Sequence, residues 1–151
     1  MITSDATPDR VEVLTEIRAS CERVFDALVD PNELARWWGD AHMYHTQWKV
    51  DLQPGGEYVC SATAVDGGTM KVVGKFIDID RPERIEMTWN ASWDASGETR
   101  VTYELARSMK GTLLRVTQSG FGSGADQGGY SDGWLRVFGW LAGWVERGET
   151  S

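Results

Sequence analysis

The chain has 151 residues, enough for one domain with a substantial core and too few to suggest two. Its 23 acidic and 15 basic side chains give a formal net charge of −8. That balance argues against binding nucleic acid or an anionic membrane surface, both of which call for clustered Lys and Arg. Eight tryptophans are present; some must fill the core, and that many large rings can also line a pocket.

Met1–Arg10 is polar and carries no signal-peptide pattern, and the last apolar run is shorter than the roughly 20 residues a bilayer requires. No membrane insertion and a cytoplasmic location are therefore expected. In that compartment Cys21 and Cys60, far apart in sequence, are expected as reduced, buried thiols. Cys21 stands beside a predicted helix start, where a thiol pKa can fall, although packing explains a small apolar Cys equally well.

Val11, Val13, Thr15 and Ile17 alternate with Glu12, Leu14, Glu16 and Arg18, which predicts a strand with one buried face. Ser20 can cap a following helix whose Val24, Phe25, Leu28 and Val29 face inward. Asp30-Pro31-Asn32-Glu33 starts a second short helix, with Asp30 as N-cap, Pro31 in the first turn and Glu33 as a capping-box partner. Gly39 stops it.

Thr46–Leu52 alternates again, placing Trp48, Val50 and Leu52 on one face. After the turns Pro54-Gly55-Gly56 and Asp66-Gly67-Gly68, strands are predicted at Glu57–Ala64 and Thr69–Ile79. Met70, Val72, Gly74 and Phe76 share one face of the second of these. Ile85, Met87 and Trp89, then Val101, Tyr103 and Leu105, then Leu114, Val116 and Gln118 give three more strands. Gly120–Gly129 reads as a loop, and Ser131 as the N-cap of a long final helix. Trp134, Val137, Phe138, Leu141, Trp144 and Val145 form the buried stripe of that helix. Leu135 and Trp140 point away from the stripe, a surface that would suit a homodimer. The expected class is α+β: a curved antiparallel sheet of about seven strands wrapped on a long C-terminal helix, with two short helices after strand 1. A single domain is expected over 1–151, with an ordered core of about 9–147.

Catalytic signatures are weak. Gly129-Tyr130-Ser131-Asp132-Gly133 matches the hydrolase elbow in letters, but no strand runs into the serine and no histidine follows it. His42 and His45, with Asp40 beside them, are too few ligands for a metal centre. The Gly-rich loop matches no phosphate-binding pattern. No inward-facing Asp, Glu, His or Lys emerges from the strands to serve as acid or base, unless a register slip turns Glu57 inward. No catalytic residue, metal or cofactor is assigned.

Three segments carry a resemblance: Ala19–Gly39, Gln53-Pro54-Gly55-Gly56-Glu57-Tyr58, and Gly74-Lys75-Phe76 with Ile79–Trp89, together with Gly133-Trp134 opening the last helix. With them the chain resembles the START/Bet v1-like (SRPBCC, helix-grip) superfamily, in the branch named after the C-terminal domain of the Hsp90 ATPase activator. The resemblance implies a helix-grip fold with an elongated cavity between the sheet and the long helix. It implies no catalytic residue.

The face opposite the charged positions supplies the expected ligand-binding set: Trp48, Tyr58, Cys60, Met70, Phe76, Trp89, Tyr103 and Gln118 from strands, and Trp38, Trp134 and Phe138 from helices. Buried Tyr58, Tyr103 and Gln118 need hydrogen-bond partners. A mutual network or trapped water would satisfy them; alternatively they orient an apolar guest. The function expected is binding of a small hydrophobic or aromatic molecule. The alternatives are a cyclase or dehydratase acting on a polyketide-like substrate, and an Hsp90-type co-chaperone or interaction module.

Overall fold

The computed structural model describes residues 2–7, 10–40, 42–92, 97–121 and 127–146. Eight strands form a single antiparallel sheet. In chain order they are β1 (Ile2–Thr7), β2 (Arg10–Ile17), β3 (Tyr44–Val50), β4 (Glu57–Ala64), β5 (Thr69–Asp80), β6 (Arg84–Ala91), β7 (Glu98–Ser108) and β8 (Gly111–Ser119). Helices α1 (Cys21–Val29) and α2 (Pro31–Trp37) follow β2, and α3 (Gln127–Glu146) follows β8. The order across the sheet is β1-β2-β8-β7-β6-β5-β4-β3, so β3 through β8 are a meander and β2 returns beside β8. The expected α+β helix-grip architecture is present, and the seven predicted strands are β2–β8.

Alternation sorts the two faces. Val11, Val13, Thr15 and Ile17 are buried along β2, Val101, Tyr103 and Leu105 along β7, and Leu114, Val116 and Gln118 along β8. The opposite face carries ion pairs between neighbouring strands. Arg115 lies between Glu12 and Glu104 at 3.7 and 3.9 Å, and Glu86 takes Arg84 at 3.2 Å and Arg100 at 2.9 Å. Such half-exposed pairs add little stability, but they mark the water side. Trp134, Val137, Phe138, Leu141 and Val145 of α3 are buried against the inner face.

The helix starts follow local chemistry. Ser20 Oγ accepts from the Arg23 amide at 3.1 Å, and Asp30 Oδ1 accepts from Asn32 at 2.8 Å and Glu33 at 3.4 Å. The Glu33 carboxylate does not close a capping box. It accepts from Arg23 Nη1 at 2.6 Å and Trp144 Nε1 at 2.8 Å, linking α1, α2 and α3. Gly39 leaves α2 at φ 132°, where a Cβ would come within 2.6 Å of the Tyr44 carbonyl oxygen.

Four expectations change. Ile2–Thr7 is a further strand, paired with β2, in a stretch whose polar sequence gives no alternation to read. Leu52 lies past the end of β3 and is 41% exposed rather than inward. α3 begins at Gln127, so Ser131 sits within the helix instead of capping it. Gly128 and Gly129 are poor helix formers by propensity, and tertiary placement overrides them. Finally, β5 carries an irregularity between Phe76 and Asp78, which moves Ile79 toward the inner face.

Candidate functional site

A cavity lies between α1–α2 and the inner face of the β3–β7 half of the sheet. Leu28, Val29, Leu34 and Trp38 cover it, Trp48 and Val50 come from β3, and Tyr58 and Phe76 from β4 and β5. Ile85, Met87 and Trp89 on β6 and Tyr103 on β7 complete the wall. No lining residue is charged. Its volume is about 20 Å³, room for a single water. Trp48 and Val50 are the half-buried members, so the thinnest wall is at edge strand β3.

Of the expected binding residues, Trp38, Trp48, Tyr58, Phe76, Trp89 and Tyr103 meet at this cavity. Cys60 is buried and Met70 half-buried, and neither lines it. Trp134 and Phe138 do not line this cavity and pack among neighbouring rings. The Trp134 ring sits 5.9 Å from Trp38, 5.4 Å from Trp89, 5.9 Å from Tyr103 and 6.2 Å from Phe138. The cavity itself lies under α1 and α2, where Leu28, Val29 and Leu34 border it. Leu28, Val29, Leu34, Val50, Ile85 and Met87 join the wall without having been singled out. Their inward alternation or helical phase was legible, but nothing in the sequence says which inward positions border empty space.

The three polar candidates part ways. Gln118, fully buried, accepts from Trp134 Nε1 at 2.9 Å and donates to Thr99 Oγ1 at 2.9 Å; Thr99 in turn donates to the Trp89 carbonyl at 3.1 Å. The Tyr58 hydroxyl donates to the Thr88 carbonyl across β5. That reach is possible because Gly74 stands between them; a Cβ there would lie against the Thr88 oxygen and 2.6 Å from the Tyr58 ring. The Lys75 amide, turned from the ladder, donates to Thr88 Oγ1 at 2.9 Å. Tyr103 is different. It is 2% exposed, and its hydroxyl makes no hydrogen bond among the described residues.

Burial raises the Tyr58 and Tyr103 phenols above their ordinary value, and a neighbouring Tyr103 adds to the effect on Tyr58. Both stay protonated at neutral pH and act as donors rather than bases.

Similarity to known proteins agrees with this geometry. The sequence model of the family described as "Activator of Hsp90 ATPase homolog 1-like protein" matches residues 18–146. The chain belongs to this family. A crystallised protein from Chromobacterium violaceum is 28% identical, with a TM-score of 0.80 over 92% of this chain and 99% of its own. One from Rhodobacter sphaeroides is 20% identical, with a TM-score of 0.86 over 99% and 100% of the two chains. The AHSA1-like protein from Aeromonas hydrophila is 23% identical, with a TM-score of 0.78 over 92% and 93%. No curated protein matches the chain.

Other chemistry in this Hsp90-activator-like chain is sparse. Burial pushes the Cys60 thiol up to about 12, which keeps it protonated and poorly nucleophilic. Cys21 is a free, buried thiol that accepts from Thr112 Oγ1 at 3.4 Å. His42 and His45 are exposed; among the described residues no group of three or more His, Cys, Asp or Glu could hold a metal ion. Glu57 faces solvent. Ser131 lies inside α3 rather than at a strand-to-helix elbow. No described helix is long and apolar enough to cross a membrane. On α3, Leu135 and Trp140 are half-buried, and the Trp140 ring meets Tyr44 edge-on at 5.8 Å.

Proposed function

We propose that this chain binds a small hydrophobic or aromatic molecule in the cavity under α1 and α2. The observation that supports this most directly is the wall itself. Aromatic and aliphatic side chains from two helices and five strands converge there without one charge, the composition small-molecule sites favour. The Trp38 indole lies at the meeting point, 5.1 Å from Trp48 and 6.3 Å from Trp89. A guest ring would add to an existing aromatic cluster.

The room present, about 20 Å³, belongs to a closed form. A six-membered ring needs on the order of 150 Å³, so binding requires side chains to move aside. Trp48 and Val50 are placed for it, half-buried on an edge strand with one neighbour only.

Native mass spectrometry of gently purified protein tests the reading. A retained apolar compound, or a saturable change in tryptophan emission on adding naphthalene-type probes, is expected. Protein that is empty and unresponsive to every such probe would overturn it. A Trp48→Ala variant, opening the thin wall, is expected to bind such probes faster.

A further inference from the structure

The cavity wall holds few polar groups, and their partners sort them. The Tyr58 hydroxyl is taken by Thr88, Trp48 Nε1 donates to Thr46 Oγ1 at 2.9 Å, and Trp89 Nε1 donates to the Tyr130 hydroxyl at 3.3 Å. The Tyr103 hydroxyl makes no hydrogen bond among the described residues, and the residue is buried. Its ring is fixed edge-on to Trp134, with centroids 5.9 Å apart and planes at 88°. A rigidly held, unspent donor at an uncharged cavity is a specific request for an acceptor.

From this we infer the ligand class: an uncharged, flat, mainly apolar molecule carrying one carbonyl or hydroxyl oxygen, which accepts a hydrogen bond from Tyr103. The inference rests on the binding reading above and narrows it. Carboxylates and ammonium groups are excluded, because the wall offers no counter-charge and entry would strip their hydration. A hydrocarbon fits the wall but leaves the hydroxyl unmet. Burial, which keeps Tyr103 protonated, suits it to donate. The rival is a trapped water, which a cavity of about 20 Å³ could hold and which would satisfy Tyr103 with no guest.

Three probes of similar shape separate these cases: 2-acetylnaphthalene, 2-ethylnaphthalene and 2-naphthoate. Each is titrated by tryptophan fluorescence into the wild-type protein and into Tyr103→Phe. In the wild type the ketone is expected to bind about tenfold more tightly than the hydrocarbon, the advantage of one well-made buried hydrogen bond. The carboxylate should not bind measurably. Tyr103→Phe should abolish the preference, bringing the ketone to the level of the hydrocarbon. A second reading needs no variant: the carbonyl stretch of bound 2-acetylnaphthalene should fall to lower frequency in the wild type. Equal affinity of ketone and hydrocarbon in the wild type, the trapped-water outcome, would overturn the inference while leaving apolar binding intact. So would a ketone preference that survives Tyr103→Phe, or naphthoate binding as tightly as the ketone. Failure of both neutral probes to bind would overturn the binding reading and this inference with it.

Discussion

Gly74 and Gln118 show how single residues make the inner face workable. Gly74 on β5 is the gap through which Tyr58 of β4 reaches the Thr88 carbonyl of β6. Gly74→Ala would place a methyl group against that carbonyl and the Tyr58 ring. Because one of the two obstacles is backbone, the change is expected to cost about 2–3 kcal/mol, at the upper end for overpacking. The shift of the urea unfolding midpoint at constant slope measures it. Gln118 is the joint between α3 and the sheet, accepting from Trp134 and donating toward Thr99. Gln118→Leu keeps the bulk and strands a buried indole N–H, so a loss of about 1–3 kcal/mol is expected. An unfolding midpoint equal to the wild type would show that Trp134 finds another acceptor.

At the scale of elements, α1 and α2 roof the cavity through Leu28, Val29 and Leu34. Asp30 ends one helix and begins the next, its carboxylate accepting from Asn32 and Glu33. Asp30→Ala should cost about 1 kcal/mol of stability by thermal unfolding and also loosen the roof. Naphthalene-type probes should then exchange faster than from the wild type in stopped-flow fluorescence. These caps and the strand alternation were legible in the sequence because they depend on neighbours in the chain. Ser20, Asp30 and the inward faces of β2, β7 and β8 stand where the pattern put them. The site was legible only in part. Helical spacing told that Trp134 and Phe138 face inward, but not which rings Trp134 would meet on the sheet. Alternation told that Tyr58, Tyr103 and Gln118 are buried, but the partners of Tyr58 and Gln118 lie on other strands or on α3. β1 left no trace, since Ile2–Thr7 is a largely polar segment whose partner, β2, is known only from the backbone ladder.

Across the whole molecule, the ionisable groups of the inner face share one direction. Burial raises Tyr58, Cys60 and Tyr103 above their ordinary values, and Cys60 reaches about 12 from 9.0. A raised acid holds its proton in the folded state after the unfolded chain has released it. Its stabilising share is therefore complete below the unfolded value and drains away as pH rises toward the folded one. Cys60 acts first, between pH 9 and about 12, and the two tyrosines join above their ordinary value of 10.0. Each group contributes a decline of up to about 1.4 kcal/mol per pH unit in its window. Urea unfolding measured between about pH 8 and pH 11 should therefore show a decline that begins near pH 9 and steepens beyond 10. Cys60→Ala separates the contributions. It should lower stability at neutral pH through the lost packing and flatten the decline between pH 9 and 10, while leaving the steeper tyrosine region. A Cys60→Ala profile that stays parallel to the wild type from pH 8 to 10 would mean that the folded protein releases the thiol proton as readily as the unfolded chain. Water would then reach the inner face beside β4, and the sheet would be more open at its β3 edge than the closed cavity wall implies.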